Sequence, residues 1–475
     1  MSIIFYHVFL FLYKAGIRLI SPWNRKAKLW LEGRRGLFEQ MRVDFAGKKE
    51  KSPVIWMHCA SLGEFEQGRP VIEGLRQVLP ECRIVLSFFS PSGYTTRKGY
   101  TGADHIVYLP LDGPGNARAF IDLVKPDIVL WVKYDYWYYF LAELKKRKIP
   151  VLLISGVFRP DQPFFRWYGR LHRYMLECFT HLFVQTEASR VLLERLRLTD
   201  RVTVSGDTRF DRVITIAEAG EPLPLIAAFC SGKPVIVAGS TWEEDEEELD
   251  HYANTHPELR FILAPHEIGE DRMREIERLF RHAVRYSVWE KGGSPGQRGG
   301  SRADAARQSG GSRTGAQDSG APTVRRKPDE RPGQRGADGP ARAGTGLSAW
   351  PEPNVLIIDN IGMLSRLYYY ATIAYVGGGF GDDGVHNVLE AAVYGKPVVF
   401  GPVIEKYIEA VELVEGGGGL IIDSALEAEK VFNRLLLNPE ECQEAGAAAK
   451  GYVYSKRGAT ERIIKYIQEN RLLTN

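Results

Sequence analysis

The residues able to carry chemistry fall in three short stretches of this 475-residue chain. The first is Trp56-Met-His-Cys-Ala-Ser-Leu-Gly-Glu64, which reads as a strand ending near Ala60, a turn over Ser61–Gly63 and a helix opened by Glu64. A carboxylate there sits where a general base must be to reach an acceptor hydroxyl, and a helix N-terminus favours its ionised form. The same residue also fits the plain reading of an acidic side chain in a first helical turn. The second stretch is Val237-Ala-Gly-Ser-Thr-Trp242, followed by the acidic run Glu243–Glu248. Gly239-Ser240-Thr241 between a strand and a helix offers N–H groups and hydroxyls to a phosphate; alternatively Ser240 or Thr241 simply caps the helix. An inward-facing acidic run would repel an anion, so it is expected on the solvent side. The third is Tyr375-Val-Gly-Gly-Gly-Phe-Gly-Asp-Asp-Gly-Val-His-Asn-Val-Leu-Glu390. Gly377–Gly379 after a strand permit close backbone approach to a ligand. Asn387 and Glu390 fall three apart on one helical face, where a carboxylate can accept from both hydroxyls of a ribose.

Such residues need a scaffold that gathers them. Short runs rich in Val, Ile and Leu recur at Val54–His58, Arg83–Phe89, Asp127–Val132, Val151–Ser155, His181–Thr186 and Val202–Ser205. A second series follows at Val235–Gly239, Phe261–Ala264, Val355–Asp359, Ile373–Val376, Pro397–Phe400 and Leu420–Ile422. Helical patterns separate them, which predicts parallel strands buried on both faces and two doubly wound α/β domains joined around Asp211–Pro234. Ligands of such sheets bind outside the carboxyl ends of the strands, where all three stretches lie. There is no Walker A sequence, no GxGxxG in the first βα unit and no HExxH, which argues against NTPases, ordinary dehydrogenases and zincins.

Composition narrows the class. The chain is 44% hydrophobic and 25% charged with net charge +3, ordinary for a soluble globular protein and too weakly basic to indicate nucleic-acid binding. Five scattered cysteines without a CxxC pair suit a reducing compartment and form neither a disulfide framework nor a zinc site. Ile3–Tyr13 is almost wholly apolar, about 16 Å as a helix, and basic residues from Lys14 to Arg35 follow it. That order is the reverse of a secretory signal and predicts a helix on a membrane face with a basic collar, over 1–35. A terminal helix packed on the domain surface is the other reading. Gly292–Ala349 holds Val324 and Leu347 as its only large aliphatics and is expected to be a disordered insertion. Lys133–Tyr139 and Arg159–Tyr174 interleave basic and aromatic residues, suiting either an anionic, acylated surface or an amphipathic core.

Taken together, Ser61-Leu-Gly-Glu64, Val204-Ser-Gly-Asp-Thr-Arg-Phe-Asp211, Gly239-Ser-Thr241, Asp359-Asn-Ile-Gly362 and His386-Asn-Val-Leu-Glu390 resemble the 3-deoxy-D-manno-octulosonic acid (Kdo) transferases. The resemblance omits only the insertion at 292–349. It implies a GT-B fold: an acceptor-binding Rossmann-like domain over 36–213 and a nucleotide-sugar domain over 214–475, facing a cleft. It implies transfer of Kdo from CMP-Kdo to a lipid A precursor, lipid IVA, at the cytoplasmic face of the inner membrane. Inversion, and no metal or cofactor, are implied as well. Glu64 is then the general base, with Ser61, Gly63 and Asp135 on the acceptor side. Donor contacts carry over to Ser240, Thr241, Pro265, His266, Ile361, Gly362, Met363, Asn387, Val388, Leu389 and Glu390. The chain departs from the family where Lys133 and Asp135 replace an ExE before Trp137. It departs again at Pro265-His266-Glu267 for Pro-Arg-His, and at Ile361-Gly362-Met363 for Met-Gly-Glu, which marks a divergent branch. Two other readings compete: a UDP-sugar glycosyltransferase or 2-epimerase of similar fold, and an inactive membrane-surface binding protein. Ser61–Glu64 and the apolar N-terminus speak against the first, and the pair Glu64 and Glu390 against the second.

Overall fold

The computed structural model describes residues 3–46, 52–133, 135–292 and 352–473. The stretch read as an insertion, Gly292 apart, lies outside them. The first sheet contains β1 (Val54–Cys59), β2 (Arg83–Phe88), β3 (His105–Tyr108), β4 (Ile128–Val132), β5 (Val151–Gly156), β6 (His181–Val184) and β7 (Val202–Val204). Its strands run in the order β3-β2-β1-β4-β5-β6-β7. The second sheet contains β8 (Val235–Thr241), β9 (Arg260–Pro265), β10 (Ala283–Arg285), β11 (Val355–Ile357), β12 (Ile373–Val376), β13 (Val398–Phe400) and β14 (Gly419–Ile421). Its order is β10-β11-β9-β8-β12-β13-β14. Neighbouring strands pair in parallel throughout, as in the β1–β4 and β8–β12 pairs.

Alternation along each strand sends side chains to both faces, and both faces are buried. Trp56 and Trp131 enter one core of the first sheet, while Ile55, Met57, Leu130 and Val132 enter the other. In the second sheet Val235 and Val237 face one way, Ile236 and Ala238 the other. That is why these strands read as unbroken apolar runs. The two strands absent from the sequence reading, β3 and β10, are both sheet edges, short and only partly buried.

Each sheet reverses its strand order at one place, and those places set the site. In the first sheet β1 lies between β2 and β4; in the second β8 lies between β9 and β12. The crevices beyond β1/β4 and β8/β12 are therefore the topological switch points.

Two helices tie the halves together. The Thr208–Ala219 helix is capped by Asp207, whose side chain accepts the Arg209 N–H at 2.9 Å. Its Asp211 accepts the backbone N–H groups of Gly458 and Thr460, each at 2.6 Å, and so caps the last helix, Ala459–Glu469. That last helix returns to the first half, where Ile463 and Ile467 are buried with Ile55, Ile72 and Leu75. A plain division at residue 213/214 does not provide for this return.

The N-terminal helix runs Ile3–Ile20, 18 residues, longer than the apolar run alone suggested. Among the described residues it is the one unbroken helix long and apolar enough to cross a membrane. Tyr6 and Leu10 are nevertheless buried against the first half, while Phe5, Phe11, Leu12 and Leu19 are exposed.

Candidate active site between the two sheets

Glu64 lies in the first turn of the Leu62–Val78 helix, directly beyond β1. Ser61 is the N-cap and accepts the Glu64 N–H at 3.5 Å. The Glu64 carboxylate, 8% exposed, turns back and accepts the Ala60 N–H. The carboxylate is thus held at the positive end of the helix by the Ala60 N–H. Gly63 beside it is exposed, and a Cβ added there would meet nothing within 4 Å. The helix thus begins at Leu62, two residues before the start read from the sequence, and its first turn leaves open space at Gly63 next to the carboxylate.

Lys133 follows β4, the strand beside β1, and holds φ at 55°. Ser155 at the end of β5 and Ser240 at the end of β8 hold the same left-handed backbone, each with φ 55°. For residues with a Cβ this conformation is strained, and such strain concentrates at functional sites. Burial pushes the Lys133 ammonium down, and Arg209 pushes it further, against the opposing pull of Asp207, Glu64 and Glu409. Arg209 pairs with Asp207 and with Glu409, both at 2.8 Å. Glu409 comes from the second half, in the Ile408–Glu415 helix. Sequence reasoning placed Arg209 in a motif without giving it a task, and Glu409 carried no signal at all.

Asp135 sits just past Lys133, with its Oδ2 buried and making no hydrogen bond. Burial raises its carboxyl to about 6, and the Trp137 indole partly offsets this.

The second crevice differs from expectation in four ways. Ser240 and Thr241 belong to β8, and Trp242 is the N-cap of the Glu243–Thr255 helix, so neither hydroxyl residue caps it. Thr241 is 1% exposed, and its hydroxyl donates to Glu246 at 2.8 Å, which takes it away from a phosphate. The acidic run does not lie wholly on the solvent side, because Asp245 and Glu246 are fully buried. Asp245 accepts from the N–H of Trp242 at 2.9 Å, the N–H of Gly378 at 2.8 Å and the hydroxyl of Tyr375 at 2.7 Å. Glu246 pairs with Arg272, and burial raises its carboxyl to about 7. Finally, Gly377–Gly379 face protein rather than open space. A Cβ on Gly377 would lie 2.5 Å from the Ser240 carbonyl oxygen, and one on Gly379 2.6 Å from the Gly401 nitrogen. These glycines let backbone pack on backbone at the β8/β12 switch point.

Pro265 is buried at the end of β9, and His266 is exposed above it. Trp242, His266 and His386 stack, with ring centroids 4.4 Å apart for the first pair and 4.7 Å for the two histidines. The Trp242 indole donates to His386 Nε2 at 2.9 Å, and burial lowers the pKa of that imidazole. Nothing in the sequence reading joined these rings. Asn387 precedes the short Leu389–Ala392 helix and so does not share a helical face with Glu390, but its Nδ2 donates to Glu390 Oε1 at 3.0 Å. Val388 and Leu389 are buried core, whose side chains do not face a ligand. Burial raises the Glu390 carboxyl, Asn387 opposes this, and Glu66 and Arg212 act on it from the facing side. Ile361 is 85% exposed, Gly362 holds φ 101° with nothing within 4 Å of an added Cβ, and Met363 begins the Leu364–Leu367 turn. Among the described residues no group of three or more His, Cys, Asp or Glu is arranged to hold a metal ion.

The sequence pattern of a family described as 3-deoxy-D-manno-octulosonic-acid transferase (kdotransferase) matches residues 33–212. The chain is 25% identical over 467 residues to the 3-deoxy-D-manno-octulosonic acid transferase of Bordetella pertussis, covering 93% of this chain and 95% of that one. It is 23% identical over 441 residues to the protein of the same name from Haemophilus influenzae, covering 90% of each. Among solved structures, a UDP-GlcNAc 2-epimerase from Neisseria meningitidis bound to UDP-GlcNAc superposes with a TM-score of 0.55 at 15% identity, over 88% of this chain and 100% of that one. That likeness shows the fold, two Rossmann-like halves of GT-B type.

Proposed function

We propose that this chain, which over most of its length is similar to 3-deoxy-D-manno-octulosonic acid transferases, transfers Kdo from CMP-Kdo to a lipid A precursor at the cytoplasmic membrane surface. The observation that carries the reading is Glu64, whose carboxylate accepts the Ala60 N–H in the first turn of a helix capped by Ser61, at the first switch point beside open space at Gly63. In this reading Glu64 takes the proton from a primary sugar hydroxyl as that oxygen attacks the anomeric carbon of Kdo. The new C–O bond forms on the face opposite the leaving group, the bond to the CMP phosphate breaks, and CMP departs, so the configuration inverts. No metal enters this scheme. Ser240 and the open turn at Gly362 stand on the donor side, where backbone N–H groups meet the departing phosphate. Pro265 and His266 line that side, and Glu390, fixed by Asn387, receives the ribose hydroxyls. Asp135 faces the acceptor. The exposed apolar side of the Ile3–Ile20 helix, with basic residues after it, suits an anionic membrane surface that holds a lipid acceptor.

The test is incubation of the detergent-solubilised chain with CMP-Kdo and a lipid A precursor, following CMP release and product mass, with Glu64→Gln alongside. A mass gain of Kdo units, reduced about 1,000-fold in rate in the variant, is expected. Near-normal turnover in the variant would remove Glu64 as the base. Turnover of a UDP-sugar instead would replace the donor.

A further inference from the structure

The Tyr138–Lys146 helix begins immediately after the segment that carries Lys133, Asp135 and Trp137, and it has no cap of its own. Its N-cap residue is Trp137, whose side chain makes no capping hydrogen bond. The first N–H groups of a helix need acceptors from elsewhere, and here they come from two distant places. Asp112, beyond β3, accepts the Tyr139 N–H at 2.9 Å on Oδ2 and the Phe140 N–H at 3.2 Å on Oδ1. The remaining donor, the Tyr138 N–H, goes to the hydroxyl oxygen of Tyr6 at 3.2 Å. That hydroxyl in turn donates to Asp112 Oδ2 at 2.6 Å. Tyr6 is 4% exposed and Asp112 5%. Next to them, His7 Nε2 and the Tyr139 hydroxyl lie 2.6 Å apart, and the Tyr6 ring packs edge-on against Tyr138.

We propose that Tyr6 is a positioning residue for the acceptor side of the reaction: through Asp112 and the Tyr138 N–H it fixes the start of the Tyr138–Lys146 helix and so the adjoining Asp135–Trp137 segment. The N-terminal helix then has two separate faces. Phe5, Phe11 and Leu12 look outward, while Tyr6 and Leu10 look into the first half. The helix that meets the membrane is thereby also a wall of the acceptor site. This rests on the proposed transfer to a lipid acceptor for its kinetic consequence, but the hydrogen-bonded latch itself does not.

Two measurements on the full chain separate these. In detergent micelles, where attachment to a bilayer is not limiting, Tyr6→Phe is expected to raise the acceptor KM about tenfold and leave the CMP-Kdo KM within twofold. A variant that was merely less stable would lower kcat and leave both KM values alone, and that result would overturn the proposal. An unchanged acceptor KM would overturn it too. Without any substrate, hydrogen exchange at the amides of 138–140 is expected to quicken at least tenfold in Tyr6→Phe while the second sheet is unaffected. The outward-face double variant Phe11→Ser, Leu12→Ser is expected to reduce flotation with anionic vesicles and leave that exchange unchanged. Unchanged exchange in Tyr6→Phe would overturn the latch. Quickened exchange in a chain that transfers no Kdo would sustain the latch and overturn the reading of the substrate.

Discussion

At the scale of single residues, the buried carboxylates divide by what surrounds them. Asp245 serves three donors at once, so Asp245→Ala strands the Trp242 and Gly378 N–H groups and the Tyr375 hydroxyl in the core. The expected loss is about 3 kcal/mol or more in a denaturant titration, and a loss under about 1 kcal/mol would contradict the network. Asp135 has the opposite character, because burial raises its carboxyl from 3.8 to about 6 with little to compensate. A raised folded value means that the folded state binds the proton more tightly. Asp135 therefore weighs least on stability below about pH 4, and its cost grows as the pH rises until it is complete above about pH 6. A rise of about two units corresponds to roughly 3 kcal/mol. Asp135→Asn should melt above the parent chain at neutral pH and no higher at pH about 4; the same difference at both would remove the buried carboxyl from the account. His58 shows why residue type alone misleads. It sits in the first chemical stretch, yet it is fully buried, bonds Ser87 Oγ at 2.9 Å and is pushed down to about 3 by burial, a neutral core histidine.

At the scale of elements, strands were legible because burial on both faces writes itself into sequence as unbroken apolar runs. Helix starts were legible less often. The helix that carries Glu64 was expected to open at Glu64, and the structure opens it at Leu62 with Ser61 as its cap, at the S-x-x-E spacing of a capping box. The Tyr138–Lys146 and Ala459–Glu469 helices are capped instead by side chains far away in sequence, Asp112 and Asp211, which no local pattern can announce. Asp211→Ala should cost about 2 kcal/mol and quicken hydrogen exchange at the start of the last helix. If exchange there stayed as slow as in the parent, the cap would be contributing nothing. The Gly377–Gly379 run belongs here as well. Its sequence says only that something comes close, and the structure shows that the something is the chain's own backbone.

At the scale of the whole molecule, the two halves meet through charge. Arg209 stands between Asp207 of its own half and Glu409 of the other, beside Lys133 and Glu64. Glu409→Gln leaves a largely buried cation with one partner fewer, and a cost of roughly 3 kcal/mol is expected, with a matching coupling to Arg209 in a double-mutant cycle. Additive effects would mean that the pair does not join the halves. The two parallel sheets, the places of Glu64 and Ser240 beyond their strands and the likeness to the Kdo transferases were readable from the amino-acid order alone, because periodicity and motif spacing are local quantities. Packing settled the rest. It buried Asp245 and Glu246, stacked Trp242 with His266 and His386, carried Glu409 to Arg209, returned the last helix to the first half and set Tyr6 against Asp112. Each of these joins residues distant in the chain or depends on which face of an element is covered. A buried polar group takes whichever partner the packed fold brings within reach, and sequence spacing holds no record of that partner.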